Sequence, residues 1–405
     1  MAGPPIRHGA VLVDDAGRIA AVGPDSAVPH PEGVPAEAFP GAGLMPGLVN
    51  THTHLELTGF EGQVPDDDFA AWIRRVRTLK AERSAEDFLA AARAGLAHCF
   101  AAGVTTVAET GDSGAVAAAL VEAGGSGIVY QEVFGPHCAQ RDESMNWLAR
   151  RLDELEAARR GRVRIGVSPH APYTVSGPLY ESAARLARER GLPMAVHLAE
   201  SRAETALLAT GTGPFADAWV KRGIPLPPPG HSPVEWLDRH GVLGPDTLCI
   251  HVVQVSQDDI ARLAARGVAI AHCPRSNRRH GHGDAPLGAL LAAGLRVGVG
   301  TDSVASVGVL DLLADVRAAR ALAGLDASAA LRLVTLDAAR ALDLDREIGS
   351  LEPGKWADFA VIDLGPAADD PVERVLASRP ADVVATFLAG APVARRESRF
   401  ARSPH

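Results

Sequence analysis

The sequence is organised around one short stretch, Met45-Pro46-Gly47-Leu48-Val49-Asn50-Thr51-His52-Thr53-His54. Residues two apart in a β-strand point to the same side, so His52 and His54 can direct two imidazoles at one point. The Pro-Gly pair before Leu48 marks the beginning of that strand. Two histidines packed in a core or lying on a surface would look the same, so the rest of the chain must decide.

Composition restricts the class of protein. The chain has 405 residues, 47% of them hydrophobic, which suits one large α/β barrel with a small appendage. A net charge of −9 without a basic stripe argues against nucleic-acid binding. No apolar run approaches the roughly 20 residues that span a bilayer, and no signal-peptide pattern opens the sequence, so we expect a cytoplasmic location away from membranes. The scattered cysteines indicate neither a disulfide framework nor a cysteine zinc site.

Strand and helix patterns alternate through the middle of the chain. A helix over 85–101, for example, begins after Ser84 with Asp87 in the first turn and ends before Gly103. This alternation predicts parallel strands joined by crossover helices, and eight strands predict a closed (β/α)8 TIM barrel. The predicted strands begin at 48 and continue at 104–110, 127–134, 163–168, 193–198, 248–251, 268–272 and 296–301.

The two ends of the chain have a different pattern. Short strands are predicted at 10–13 and 19–22, and again near 357–363, 383–388 and 392–393. We therefore predict that residues 1–46 and 345–405 together form a small β-sandwich, since each half alone is too short for a core. The barrel then occupies 47–344. An insertion at about 203–244, which contains Pro227-Pro228-Pro229-Gly230, interrupts its rhythm with at least one helix.

Potential metal ligands recur at the ends of the predicted strands. Because active sites of such barrels form at the carboxyl ends of the strands, side chains at these ends meet in one place. So many imidazoles, with one carboxylate, predict a metal site better than they predict packed core histidines. The residues are His52, His54, His170, His197, His251, His272 and Asp302.

The motifs around these residues resemble the amidohydrolase superfamily, in its branch of cyclic-amine deaminases and chlorohydrolases. They are Pro46-Gly47-Leu48-Val49-Asn50-Thr51-His52-Thr53-His54, Pro169-His170-Ala171-Pro172-Tyr173, His197-Leu198-Ala199-Glu200, His251 and Gly300-Thr301-Asp302. The resemblance implies that the metal ligands are His52, His54, His197 and Asp302. It also implies proton transfer by Glu200, His251 and Asp302. Binuclear relatives carry a bridging lysine where this chain has His170, so one divalent metal is implied.

The chemistry of these residue types fits the implied roles. Three imidazoles and a carboxylate suit Zn²⁺, and also Fe²⁺. A metal with an open position lowers the pKa of water to about 7. Glu200 follows His197 by three residues and is placed to protonate a ring nitrogen, as a non-ligand Glu does in other zinc deaminases. The alternative for Glu200 is a surface carboxylate without function.

Three further residues concern the small-molecule substrate. Glu56, Arg275 and the carboxylate of Glu132 give the chain a resemblance to the aminodeoxyfutalosine deaminases of the alternative menaquinone pathway. This resemblance implies that the substrate is 6-amino-6-deoxyfutalosine, an adenine nucleoside with a benzoate tail. The implied product is futalosine. Glu56 is placed to accept hydrogen bonds from ribose, and Arg275 to grip the benzoate bidentately. His170 completes the predicted substrate contacts.

Other interpretations remain open at this point. Glu56 and Arg275 also fit a loop ion pair or a helix cap. The substrate alternatives are S-adenosylhomocysteine, methylthioadenosine or guanine, and a chlorohydrolase activity is a further one. Outside the enzymes, the chain could be a metal-free barrel that only binds or assembles. Whether copies of the chain associate into a homo-oligomer is left open.

Overall fold

A computed structural model describes residues 3–64, 68–365 and 370–396. Part of the predicted C-terminal half of the sandwich, 366–369 and 397–405, lies outside these residues, as do residues 1–2 of its N-terminal half. Across the described ranges, no helix combines the length and the apolar composition needed to cross a bilayer.

Strands and helices alternate from residue 48 onward, as the sequence predicts. The strands are β1 (Gly9–Val13), β2 (Ile19–Pro24), β3 (Ala42–Pro46), β4 (Leu48–Thr53), β5 (Val104–Gly111), β6 (Ser126–Val133), β7 (Arg162–Pro169), β8 (Met194–Leu198), β9 (Thr247–His251), β10 (Ala269–His272), β11 (Arg296–Val299), β12 (Phe359–Asp363), β13 (Val383–Leu388) and β14 (Ala391–Arg395).

The helices lie mainly between barrel strands. They are α1 (Phe69–Ala81), α2 (Ala85–Ala101), α3 (Ala115–Glu122), α4 (Arg141–Ala158), α5 (Gly177–Glu189), α6 (Arg202–Ala209), α7 (Pro214–Lys221), α8 (Pro233–Arg239), α9 (Gln257–Arg266), α10 (Pro274–Arg279), α11 (Leu287–Ala292), α12 (Val304–Val307), α13 (Leu312–Ala323), α14 (Ala327–Arg332), α15 (Leu336–Ala341) and α16 (Pro371–Ala377). Helix α2 begins with the predicted capping box, in which Ser84 and Asp87 each accept a hydrogen bond from the other's backbone N–H.

The barrel sheet confirms the predicted TIM fold. Strands β4 to β11 form one sheet in sequence order, and every pairing within it is parallel. The two end strands of this sheet, β11 and β4, are bridged by hydrogen bonds to the residues that follow α14. The N–H groups of Val49 and Val299 donate to the carbonyls of Val334 and Leu333, each over 2.8 Å.

The last barrel strand is shorter than predicted, ending at Val299 rather than near 301. Gly300 explains the difference, because a Cβ at this position would lie 2.6 Å from the backbone N of His52. The chain passes the first strand closely here, and the N–H of Asp302 donates to the carbonyl of His52 over 3.0 Å. Glycine therefore allows the contact that brings Asp302 beside His52.

Both ends of the chain form antiparallel sheets beside the barrel, as predicted. Strands β1 and β2 make a hairpin, and β3 joins the C-terminal strands in the order β14-β13-β12-β3. Ile19 from the hairpin packs in one buried cluster with Phe359 and Phe387 from the four-stranded sheet. Residues far apart in sequence thus share a core. The exact domain boundaries at 46 and 345 stay a prediction.

The predicted insertion consists of three short helices, α6 to α8, between β8 and β9. Its Phe215 stacks on Tyr173 with ring centroids 4.1 Å apart, and its Trp219 indole donates to the carbonyl of Tyr173 over 2.9 Å. Phe69 of α1 joins the same apolar cluster. These segments all follow the carboxyl ends of barrel strands, so together they cover part of the face that carries the site.

Candidate active site and metal centre

Three histidines from two barrel strands converge on one point. The ring centroid of His52 lies 4.7 Å from that of His54 and 5.0 Å from that of His197. One ligand nitrogen from each of the three lies within 4.8 Å of the others. Oδ1 of Asp302 lies 3.8 Å from Nε2 of both His52 and His54. The structure therefore brings together all four residues that the resemblance implied as ligands.

Contacts at Nδ1 orient two of the three rings. Nδ1 of His54 contacts the carbonyl of Thr110 at 2.7 Å, and Nδ1 of His197 contacts the carbonyl of His170 at 3.2 Å. A ring that is held through Nδ1 has its Nε2 available to a metal. His52 is fully buried, and neither of its ring nitrogens has a hydrogen-bond partner among the described residues. A buried imidazole without a partner fits a metal ligand.

The electrostatics of the three rings favour the form that binds metal. Burial, together with the neighbouring imidazoles, lowers the pKa of His52 and of His197 well below its usual value. Burial likewise lowers the pKa of His54, against the opposing effect of Asp302. The rings are therefore neutral at physiological pH, and a neutral imidazole offers its lone pair to a cation.

Asp302 is held in one orientation by its neighbours. Ser276 donates to its Oδ2 over 2.5 Å, and the backbone N–H of Ser303 donates to its Oδ1 over 2.6 Å. Its backbone has φ +62°, in the left-handed region that non-glycine residues rarely adopt. His251 is similar, with φ +72°. Strained backbone of this kind concentrates at functional sites.

Glu200 lies beside the cluster as a buried carboxylate facing two imidazoles. Its Oε1 lies 3.5 Å from Nε2 of His251 and 3.4 Å from Nε2 of His282, and Tyr173 donates to its Oε2 over 3.4 Å. Burial raises the pKa of Glu200, but the two imidazoles outweigh burial and hold the pKa well below its usual range. Glu200 is therefore ionised at neutral pH and is not a surface carboxylate. Nδ1 of His251 contacts Oδ1 of Asn277 at 2.9 Å, which directs its Nε2 to Glu200.

Sequence reasoning missed His282, and with it Ser276 and Asn277. The signal was present, because His280-Gly281-His282 is a second His-x-His run soon after the seventh strand. It was overlooked because it lies in the loop after α10 rather than at a strand end. His282 is 5% exposed, and its ring packs against Phe69 of α1 with centroids 4.5 Å apart.

His170 also lies in the site, next to a second carboxyl group. Its Nδ1 contacts Oγ1 of Thr174 at 2.8 Å, and its Nε2 lies 3.9 Å from Oε1 of Glu132. One ligand atom from each of Glu132, His170 and His197 lies within 4.8 Å of the others. His272, the remaining strand-end histidine, is fully buried, and burial followed by His251 lowers its pKa to about 3.

Glu56 has protein partners at both carboxylate oxygens. Lys80 of α1 donates to its Oε1 over 2.5 Å, while the backbone N–H and the hydroxyl of Ser113 donate to its Oε2 over 3.1 and 2.5 Å. The side chain is 1% exposed as a residue. These contacts match the loop ion pair that the sequence also allowed. The ribose contact expected of Glu56 therefore has no support in the structure.

Arg275 is likewise engaged within the protein. Its guanidinium donates to the carbonyls of Val309 and Val307 over 3.1 and 3.2 Å, and to Oδ2 of the buried Asp315 over 3.4 Å. These bonds tie α10 to the chain around α12 and α13. The expectation that Arg275 grips a substrate carboxylate has no support in these contacts, which match the loop ion pair that the sequence also allowed.

Two proteins with sequences similar to this chain are deaminases by name. A 5-methylthioadenosine/S-adenosylhomocysteine deaminase of Symbiobacterium thermophilum is 32% identical over 407 residues, covering 95% of this chain and 88% of that protein. An aminodeoxyfutalosine deaminase of Deinococcus radiodurans is 34% identical over 308 residues, covering 72% of this chain and 71% of that protein.

A solved structure agrees with the sequence comparisons. An adenosine deaminase from Xanthomonas campestris with bound zinc superimposes with a TM-score of 0.83 at 29% identity, covering 96% of this chain and 88% of that one. Residues 44–393 match the model of the amidohydrolase family. Because this match spans the barrel and strands of the terminal sheets, the chain belongs to the amidohydrolase family and is a hydrolase of C–N bonds.

Proposed function

We propose that this protein catalyses the hydrolytic deamination of an adenine nucleoside, replacing the 6-amino group by oxygen with release of ammonia. The observation that carries the proposal is the buried Glu200, 3.5 Å from His251, beside three converging histidines and Asp302. The arrangement supports an enzyme over a barrel that only binds or assembles, because both the ligand set and the proton-transfer groups are complete.

The residues that would hold the metal are His52, His54, His197 and Asp302. Three neutral imidazoles and a carboxylate suit Zn²⁺, with Fe²⁺ as the alternative. When bound, the divalent ion supplies a nucleophile from water at neutral pH. His197 has a single free nitrogen, since its Nδ1 contacts the carbonyl of His170, and this supports one ion per chain rather than two.

Proton transfer falls to Glu200 and His251 in this proposal. An ionised Glu200 begins as a proton acceptor, so it takes a proton from the attacking water and then delivers it to the ring nitrogen next to the carbon under attack. The imidazole of His251, whose Nδ1 contacts Asn277, would accept the second proton from the oxygen that has been added to the ring carbon. It would then pass this proton to the amino group, which leaves as ammonia. Burial of both groups excludes water from the transfer.

Two chemical groups are candidates for the substituent on the 5′ carbon of the substrate. An aromatic carboxylate, as in 6-amino-6-deoxyfutalosine, is favoured by the relative from Deinococcus radiodurans and by the sequence motifs around Glu56 and Arg275. A thioether, as in methylthioadenosine or S-adenosylhomocysteine, is favoured by a relative that covers 95% of the chain. Because Glu56 and Arg275 are occupied within the protein, neither residue argues for the carboxylate by its contacts.

The test is an assay of ammonia release from a panel of substrates by the purified, metal-loaded protein. The panel contains adenosine, methylthioadenosine, S-adenosylhomocysteine, 6-amino-6-deoxyfutalosine and guanine. We expect kcat/KM to be highest for an adenine nucleoside with a substituted 5′ carbon. Activity on guanine alone, or on none of the panel, would overturn the proposal. The ratio of kcat/KM between the thioethers and the carboxylated nucleoside decides between the two candidates.

A further inference from the structure

Glu132 has an unsatisfied carboxyl oxygen in the site. Glu132 lies near the carboxyl end of β6, which is buried throughout, and is itself 3% exposed. Its Oε1 nevertheless has no hydrogen-bond partner among the described residues. The closest imidazole nitrogen, Nε2 of His170, lies 3.9 Å away, beyond hydrogen-bond distance. Buried polar atoms normally find a partner, so this oxygen is open to a donor that the described residues do not supply.

The neighbouring cation does not supply that partner. Lys80 contributes charge near Glu132, but its ammonium group is already bonded to Glu56 and Asp112, each over 2.5 Å. Burial raises the pKa of Glu132 well above its usual range, and Lys80 only partly opposes this effect.

A second metal ion is a poor partner. The atoms of Glu132, His170 and His197 are close enough to form a ligand group, but His197 would have to serve two ions with one free nitrogen. Nδ1 of His170 is engaged with Thr174, so only one nitrogen of His170 remains. What remains for Glu132 is a hydrogen-bond donor on the substrate.

The chemistry of the proposed substrate limits that donor. An adenine nucleoside with a substituted 5′ carbon carries donors at its 6-amino group, which leaves in the reaction, and at its 2′ and 3′ hydroxyls. Glu200 follows the carboxyl end of β8 and faces the reacting edge of the adenine ring in the proposed function. Glu132 belongs to β6, two strands away in the sheet. We propose that Glu132, with His170 beside it, binds the ribose hydroxyls of the substrate. This inference rests on the proposed function and assigns to Glu132 the role that the sequence suggested for Glu56.

The exposed ring of Phe134 adds an apolar wall next to this position. Phe134 is 38% exposed, which is unusual for a large aromatic residue, and its ring lies 5.1 Å from that of His170. A sugar that bonds Glu132 through its hydroxyls presents its carbon face to such a ring. A polar contact beside an apolar wall is the general pattern of small-molecule sites.

The experiment compares adenosine with 2′-deoxyadenosine and 3′-deoxyadenosine in the wild type, Glu132→Leu and Glu132→Gln. A hydrogen bond to a carboxylate corresponds to a factor of about ten or more in kcat/KM, so we expect the wild type to disfavour at least one deoxy analogue by that factor. Glu132→Leu should abolish the discrimination, mainly by lowering the kcat/KM for adenosine. Glu132→Gln, which keeps an acceptor oxygen, should retain part of it. Glu122→Leu, a change at an exposed residue of α3, is the matched control.

The outcomes separate this inference from the proposed function. If the wild type deaminates adenosine and both deoxy analogues equally, Glu132 does not bind ribose, although the deaminase proposal stands. Discrimination that persists in Glu132→Leu also overturns the inference, as do two metal ions per chain. If no adenine nucleoside is deaminated, the proposed function itself fails. Since the wild-type comparison is decisive alone, a variant that does not fold leaves the inference testable.

Discussion

Nε2 of His282 lies 3.4 Å from Oε1 of Glu200, the same oxygen that faces His251 at 3.5 Å. The ring of His282 also packs against Phe69 of α1, so the loop after α10 links the covering helix to Glu200. Two imidazoles on one carboxylate oxygen keep Glu200 ionised and hold its orientation. We therefore expect His282 to act as a positioning residue for Glu200.

Loss of His282 should affect turnover more than substrate binding. We expect His282→Ala to lower kcat about tenfold with KM within about twofold, because a misplaced proton-transfer group acts on the transition state. His282→Gln, which keeps an N–H near the position of Nε2, should restore part of kcat. His280→Ala is the control, since His280 lies in the same loop as His282 and packs against Trp72 of α1. If both alanine variants lower kcat equally, the loop's packing rather than the contact to Glu200 is responsible.

Glu200→Gln should retain the metal and lose most of the activity. Without a group that accepts and returns the proton, we expect kcat to fall about a hundredfold or more. Steady-state kinetics of ammonia release, together with elemental analysis of the variant, measures both properties. Glu143→Gln, at an exposed position of α4, is the matched control. Near-normal turnover in Glu200→Gln would remove Glu200 from the mechanism.

Elemental analysis should find one divalent ion per chain. His52→Ala should reduce the metal content most, because His52 is fully buried at the centre of the cluster. Removing the metal from the wild type with a chelator should lower Tm, since an ion that binds only the folded state adds about 4 kcal/mol when its free concentration is about a thousandfold above Kd. Two stoichiometric ions, or a Tm that chelation leaves unchanged, would contradict this ligand assignment.

Arg275→Met should reduce stability and leave substrate preference unchanged. The variant loses the bonds from the guanidinium to Val307, Val309 and Asp315, which we expect to cost about 2 kcal/mol near pH 6. Thermal or urea unfolding measures the loss, and Arg278→Met, an exposed arginine paired with Asp284, is the control. A changed ratio of kcat/KM between carboxylated and uncharged nucleosides would instead return Arg275 to substrate recognition.

The loss in Arg275→Met should grow with pH. Burial raises the pKa of Asp315 to about 8, against the opposing effect of Arg275, whereas an unfolded Asp titrates near about 3.9. Between these two pH values the folded protein binds more protons than the unfolded chain does, so the free energy of unfolding falls as pH rises. Without Arg275 the folded pKa rises further, and the fall continues above pH about 8. The difference in unfolding free energy between wild type and variant should therefore be larger at pH 9 than at pH 6.

The barrel and the candidate metal cluster were both predictable from the sequence. Strand and helix periods are local, and parallel strands with crossover helices leave few alternatives. His52 and His54 share a side because alternate residues of a strand do so, and His197 and Asp302 meet them because the carboxyl ends of the strands lie on one face.

Only the tertiary structure decided which side chains are free to act. Lys80 neutralises Glu56 from 24 residues away, and Asp315 engages Arg275 from 40 residues away. Such partners depend on how covering helices and loops pack, which a strand pattern does not encode. The same packing brings His282 to Glu200, and it gives Oε1 of Glu132 no partner within the part of the chain that the structure describes. Residue type and spacing indicate what a side chain is able to bind, but its neighbours in space determine whether that capacity is already used.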